Sequence, residues 1–202
     1  MTTVLHIASS SNLQSSVTRQ IGSLTIEGLK KAHENIQVIE HDLVKENIPH
    51  ISPEFVTEMF SGNADAPELK LSNQFVDELL SSDILVIEAP MYNFGIPSVL
   101  KAWIDHIVRV GKTFQYGENG PEGSVPAGKE AIIILGRGGV YSEGPYKAMD
   151  YQESYLRAVL GFIGITKIES VYIEGVAMGP EKTAEALEEA QKQVSSILSK
   201  AA

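Results

Sequence analysis

Asp83-Ile84-Leu85-Val86-Ile87-Glu88-Ala89 runs into Pro90-Met91-Tyr92-Asn93-Phe94-Gly95-Ile96, and then into Pro97-Ser98-Val99-Leu100-Lys101-Ala102-Trp103-Ile104. The first segment is a short apolar run, the pattern of a strand buried on both faces. The last opens a helix that extends to Val110: proline fits a first helical turn, and Leu100, Ile104, Ile107 and Val108 fall on one face. A buried strand, a loop and a helix in this order form half of a parallel crossover unit.

The same rhythm continues outward in both directions. Towards the N-terminus, residues 3–8 and 36–41 read as strands. Residues 16–33, 53–61 and 67–81 read as helices. Towards the C-terminus, Glu130 to Leu135 and residues 167–173 read as strands, and residues 146–163 and 180–199 as helices. Strands alternating with helices predict an α/β, three-layer sandwich: one five-stranded parallel sheet covered by helices on both faces. Right-handed crossovers favour the strand order 2-1-3-4-5. No repeat or linker divides the chain, so residues 1–202 read as a single domain. One segment breaks the rhythm: residues 111–129 are rich in Gly and Pro, and Phe114 and Tyr116 alternate within it as in a short hairpin. A connection of that length in a compact domain tends to carry function.

Composition narrows the chemistry. The 202-residue chain carries 26 acidic and 16 basic residues, a net charge of −10, with no Lys/Arg cluster to neutralise phosphates, so no nucleic-acid partner is expected. It has no cysteine. Thiolate nucleophiles, Fe–S clusters and thiolate metal sites are thereby excluded, as are disulfides. The start, Met1-Thr2-Thr3-Val4-Leu5-His6-Ile7, has neither a basic nor a long apolar leader region. No apolar stretch approaches the roughly 18 residues of a membrane helix. The expected location is the cytoplasm, with no membrane partner.

In an open parallel sheet, ligands bind beyond the carboxyl ends of the strands, near the switch in strand order. Three loops lie there. The first, Ser9 to Thr18, holds six hydroxyl side chains and ends at a helix start, where free N–H groups and the helix dipole favour a phosphate. Ordinary capping by Ser15 or Ser16 is the alternative. The second, Ala89 to Pro97, places Met91, Tyr92 and Phe94 where a planar ligand would lie, with Asn93 as a polar contact; capping of the core is its alternative. The third, Gly136-Arg137-Gly138-Gly139-Val140-Tyr141, permits close backbone approach, and could equally be a plain βα loop. The residues alone support a site for a nucleotide and a flat ring.

Other signals fail. Gly-x-Gly-x-x-Gly is absent after the first strand. Gly123 to Glu130 imitates a P-loop, but Glu130 stands where Ser or Thr is required, and the segment precedes a strand. The five histidines lack metal-ligand spacing, so no metal is expected; His6 reads as structural and His106 as a surface residue beside Asp105. Trp103 fits either an interface or the core. Glu188 and Glu189 read as a solvated helix face.

Several motifs recur together in order: Ala89-Pro90-Met91-Tyr92-Asn93-Phe94 with Leu100-Lys101; Gly111, Thr113-Phe114 and Tyr116; Glu118 to Gly123; Gly128-Lys129; Arg137-Gly138-Gly139; Gly144-Pro145; and Gly161 to Ile165. In this series the chain resembles the FMN-dependent NADH-azoreductases, relatives of the flavodoxin-like quinone reductases. The resemblance implies a flavodoxin-like fold that binds FMN and takes electrons from NADH or NADPH. It implies ping-pong, two-electron reduction of azo compounds and quinones by a homodimer. Ser10, Ser16, Val17 and Thr18 match positions that hold the FMN phosphate. Met91, Tyr92, Asn93 and Phe94, with Gly136, Arg137, Gly138 and Gly139, match the loops around the flavin. Tyr116 and Phe162 match aromatics of the acceptor pocket, contributed across the dimer interface. No side chain of the protein is implied as a catalytic group, since the chemistry belongs to the flavin. Two positions depart from the family pattern: Gly136 and Thr18 stand where relatives commonly have Ser. The rival readings are a quinone or nitroaromatic reductase with incidental azo activity, and a flavodoxin-type electron carrier.

Overall fold

The apolar runs pair edge to edge in one direction, because the central ones are buried on both faces and need a layer of helices on either side. The computed structural model describes residues 1–201. In chain order the elements are β1 (Thr2–Ala8), α1 (Val17–Ala32), β2 (Ile36–Asp42), α2 (Leu43–Glu46), α3 (Pro53–Ser61), α4 (Lys70–Ser81), β3 (Ile84–Pro90), α5 (Ser98–Ile107), β4 (Phe114–Gly117), β5 (Gly120–Gly123), β6 (Glu130–Gly136), α6 (Glu153–Ile163), β7 (Lys167–Ile173) and α7 (Pro180–Ala201). The five-stranded sheet has the order β2-β1-β3-β6-β7 and is parallel throughout. This is the expected 2-1-3-4-5 arrangement. The numbering differs because β4 and β5 form a separate antiparallel hairpin inside residues 111–129.

Side chains alternate between the two faces with period 2. Leu5, Ile7, Leu85, Ile87, Ile133 and Leu135 meet Phe75 and Leu79 of α4, Trp103 and Ile104 of α5, and Leu156 and Leu160 of α6. On the other face Val4, Val86, Ile132, Ile134 and Val171 meet Ile21 and Leu29 of α1 and Ala190 and Val194 of α7. Each fully buried Val, Leu, Ile or Phe among them contributes about 1.5–3 kcal/mol. Trp103 is fully buried in the first of these clusters, which makes it a core residue and not an interface anchor.

Two local expectations change. Residues 146–163 do not form one helix: a 3-10 turn at Lys147–Met149 is followed by α6 from Glu153. Asp150 causes the break, because its Oδ1 accepts the N–H groups of both Gln152 and Glu153 at 3.0 Å and caps the new start. α6 ends where Gly164 takes φ 107°, a left-handed C-cap. His106, expected at the surface, is buried: its Nε2 lies 3.0 Å from the Pro49 carbonyl, and the Phe55 ring packs edge-on against it. The segment from Pro49 into α3 covers the end of α5, a tertiary contact that helical periodicity does not report. His6 is buried on β1, with its Nε2 2.7 Å from Glu88 Oε1 on β3.

Candidate active site

At the carboxyl end of β1 the chain enters a loop fixed by its own polar side chains. Asn12 Oδ1 accepts the N–H groups of Gln14 and Ser15 at 3.2 and 2.9 Å, which folds the loop back before α1. Ser16 is the N-cap of α1, its Oγ accepting the Arg19 N–H, and Thr18 Oγ1 lies 3.0 Å from the same oxygen. An α-helix leaves its first N–H groups without intrahelical partners. Since Ser16 takes only that of Arg19, those of Val17 and Thr18 are available beside the hydroxyls of Ser10, Ser16 and Thr18. Capping and anion binding are therefore compatible uses of one loop.

Sequence reasoning missed the group that braces this loop. The Arg19 guanidinium donates to the Ser10 carbonyl at 2.8 Å and holds Asp42 through two bonds of 2.9 Å. Burial pushes the Asp42 carboxyl up, but hydrogen bonds from Arg19 and Lys45 outweigh it and hold it at about 2. Arg19 is thus neutralised within the protein. It shapes the loop and leaves anion recognition to N–H and O–H donors.

The loop after β3 is a tight turn. The N–H of Tyr92 donates to the Gly95 carbonyl at 3.0 Å, and the Gly95 N–H returns a bond to the Tyr92 carbonyl at 3.1 Å. Asn93 and Phe94 take φ of 49° and 72°. Two successive positive φ values define a type I′ turn. Asn accepts that conformation, whereas a bulky Phe is strained by it. The turn holds Tyr92, Asn93 and Phe94 exposed. Tyr92 Oη accepts the Ser11 N–H at 3.0 Å, and Met91 donates to the Gly136 carbonyl at 2.7 Å, so this loop is tied to both of the others.

The loop after β6 is organised from beneath by Arg137. Its side chain is fully buried. It donates to Gln152 Oε1 and Glu174 Oε1 at 2.9 Å and to Asp150 Oδ2 at 2.6 Å. Glu174 in turn accepts the N–H groups of Tyr141 and Ser142 at 2.7 and 2.9 Å, and Gln152 donates to the Ala89 carbonyl at 2.7 Å. Burial pushes the Glu174 carboxyl up, yet bonds from Ser142, the Tyr141 N–H and Arg137 outweigh it and keep it below the ordinary glutamate range. The guanidinium expected beside a ligand is therefore committed to the scaffold, and position 137 can reach a ligand only through its backbone. At Gly136 an added Cβ would lie 2.5 Å from Thr18 Cγ2 and 3.5 Å from Val17 Cγ2, so the starts of α1 and of this loop touch.

A cavity of about 680 Å³ opens between Phe94 and Gly139, walled also by Tyr141, Tyr146, Met149 and Met178. The structure thus brings together Ser10, Ser16, Val17, Thr18, Met91 to Phe94 and Gly136 to Gly139. It does not bring Tyr116 and Phe162 to them. Phe162 lies in the last turn of α6, at the edge of the sheet where β7 begins, and Phe114 packs against both Phe162 and Tyr116 with ring centroids 4.8 and 5.7 Å apart. Those aromatics sit across the sheet from the three loops.

Comparison with known proteins gives a consistent picture. A family model described as flavodoxin-like fold matches residues 2–198. A protein of Francisella philomiragia named FMN-dependent NADH:quinone oxidoreductase is 43% identical over 197 residues, covering 98% of this chain and 99% of the relative. An azoreductase from Bacillus anthracis superposes with a TM-score of 0.90 at 30% identity, covering 99% of this chain and 100% of that one. An FMN-dependent NADH-azoreductase of the same species, solved in complex with FMN, gives 0.89 at 27% identity over the whole of both chains.

Proposed function

The chain belongs to the flavodoxin-like fold family, and within it we propose that the three loops hold FMN for the reduction of quinones and azo compounds by NADH. It is an FMN-dependent NADH oxidoreductase, as its relatives are named. The observation that carries the assignment of residues is the convergence of three chemically different walls at one sheet edge. The α1 start offers hydroxyls and free N–H groups with no uncommitted cation, which suits a phosphate monoester. The Tyr92–Gly95 turn offers aromatic surface, and the 136–139 segment offers bare backbone against a flat ring. The contact of Gly136 with Thr18 and Val17 sets the α1 start directly against the loop after β6, so the phosphate wall and the ring wall adjoin, as a cofactor spanning from phosphate to ring requires.

FMN, when bound there, would supply two-electron redox chemistry between NADH and the acceptor. The protein's own part is positional. Ser10, Ser16, Val17 and Thr18 hold the phosphate end; Asn93 and Phe94 bound the ring. Donor and acceptor rings would use the same apolar cavity in turn, which gives a ping-pong cycle. One hydride from NADH and one proton from water convert a quinone to a hydroquinone. Cleavage of an azo bond to two amines takes two such rounds.

The protein would act as a homodimer. Tyr151, just before α6, and Tyr155 and Phe162 on it follow one another at spacings of four and seven residues, with Tyr151 and Phe162 exposed and Tyr155 half-buried. The helix runs from the three loops at one end to the Tyr116 cluster at the other. A twofold axis across its middle would place Phe162 and Tyr116 of a second copy over the Phe94 end, where an acceptor pocket needs a roof.

Purified protein should be yellow or become so with added FMN, and NADH should bleach it under anaerobic conditions. Failure to bind FMN would end this reading; bleaching that needs a separate reductase would favour an electron carrier. Asn93→Ala should weaken FMN binding or turnover, and wild-type behaviour in both would remove Asn93 from the site. Sedimentation at micromolar concentration should give twice the monomer mass.

A further inference from the structure

We propose that this site selects acceptors by charge. Flat acceptors that are neutral or cationic are reduced, and those bearing a sulfonate or carboxylate on the entering ring are rejected. The proposal rests on the enzyme reading above and names the acceptor class of the same cavity.

The walls of the cavity are hydrocarbon, aromatic and thioether: Phe94, Tyr141, Pro145, Tyr146, Met149 and Met178. Its one charged lining residue is Glu143, exposed at the rim. Val140 and Met178 also line a neighbouring depression of about 640 Å³, which adds Glu185 and Glu189. Lys182 is there as well, but its ammonium is 2.6 Å from Glu185. Arg137 lies beneath, fully buried and matched by Asp150 and Glu174. Among the described residues the cavity's own lining therefore offers an entering ring one carboxylate and no cation; Lys147 lies outside it, in a separate depression behind Tyr141 that also holds Asp150 and Glu153. A sulfonate drawn into such a space loses its water with no counter-ion, and burying an unpaired charge is costly. The rim carboxylates add a smaller, salt-screened repulsion. A cationic substituent meets the reverse: rim carboxylates, and the faces of Tyr141 and Tyr146. NADH escapes the penalty, because its negative charges lie on the pyrophosphate while only its uncharged dihydronicotinamide ring needs to enter.

The test compares two azobenzenes of identical core, one with a para-trimethylammonium and one with a para-sulfonate group, using holoenzyme and NADH under anaerobic conditions. Reduction of 2-methyl-1,4-naphthoquinone verifies that each preparation is loaded and competent. The sulfonated dye should show kcat/KM lower by on the order of tenfold or more. Titration of the oxidised holoprotein, read from perturbation of the flavin absorbance, should rank Kd in the same direction. Glu143→Lys should shift the ratio of the two dyes roughly two- to five-fold towards the sulfonate, with the shift fading at high salt. Equal kcat/KM for the two dyes, or a ratio unmoved by Glu143→Lys, overturns the proposal. If the quinone itself is not reduced, the enzyme reading falls and this inference with it; the quinone control tells that failure from the others.

Discussion

Gly136 has no room for a side chain, and the reason lies in Thr18. The family resemblance expects Ser at both positions; here the Thr18 methyl stands 2.5 Å from where a Cβ on residue 136 would be. The two departures are therefore one exchange of volume across the contact between α1 and the β6 loop. Gly136→Ser alone should destabilise the apoprotein by about 1–3 kcal/mol through overpacking and should weaken FMN binding. Adding Thr18→Ser should recover most of both losses. Denaturant melts and FMN titrations of the two single variants and the double variant measure the coupling, and additive effects would show that the contact is not shared. Phe94 illustrates the opposite case, a residue kept despite its backbone. At φ 72° a Phe is strained by about 1–2 kcal/mol where glycine is not. Phe94→Gly should leave apoprotein stability unchanged or raise it slightly, while weakening flavin binding and turnover. A clear fall in Tm would show that the Phe94 ring contributes more to stability than its conformation costs.

Arg137 joins elements that the sequence keeps apart. Its guanidinium links the end of β6 to Asp150 and Gln152 before α6 and to Glu174 after β7, and through Gln152 to the Ala89 carbonyl near the end of β3. Arg137→Met should cost on the order of 3 kcal/mol, because it leaves two partly buried carboxylates without their partner. Glu174→Gln keeps the shape but removes one charge, so it should cost less while loosening Tyr141 and Ser142. Denaturant unfolding should rank the two in that order, and the reverse order would mean that Glu174 carries the network. The same network marks where sequence reading stops. Apolar runs buried on both faces made β1, β3 and β6 legible, and the aromatic and Gly-rich composition of the loops at their ends made the site legible as a place. The partners of Arg137 lie 13 to 37 residues away, and no local spacing announces them. The break at Asp150 was hidden for a related reason: the helical pattern of 146–163 persists across it, and a side-chain cap overrides it. Arg19 was legible only as a helical residue, because its bond to the Ser10 carbonyl and its ion pair with Asp42 come from the pairing of β1 with β2.

Across the whole molecule the titrating groups set opposite limits on stability. His41 lies between Glu46 and Glu78 at 2.9 and 2.7 Å. Burial lowers its pKa, but hydrogen bonds and charge from the two glutamates outweigh that and raise it above the usual histidine value. A raised folded-state pKa contributes stability that is complete below the unfolded value of about 6.5 and is lost as pH rises through the folded one. Asp42, Glu153 and Glu174 are held low, so their contributions are complete above the unfolded carboxylate value of about 4 and are lost progressively as pH falls from there through the lower folded-state values. His41→Gln should therefore lower stability more at pH 5.5 than at pH 9 in urea melts; a pH-independent loss would assign His41 a packing role only. The proposed dimer makes a sharper demand. If each site joins the loops of one copy to the α6 end of the other, Asn93→Ala and Phe162→Ala damage different halves of it. Each variant alone then has two impaired sites per dimer. In a mixed dimer one site carries both lesions and the other carries neither. Subunit exchange between equal amounts of the two variants should restore about a quarter of the sites to wild type by random pairing. Recovered quinone reduction after exchange, absent when the variants are assayed at once on mixing, would show that Phe162 acts across the interface. No recovery, with exchange verified by mass-tagged subunits, would place Phe162 outside the partner's site and leave the pocket to the residues of a single chain.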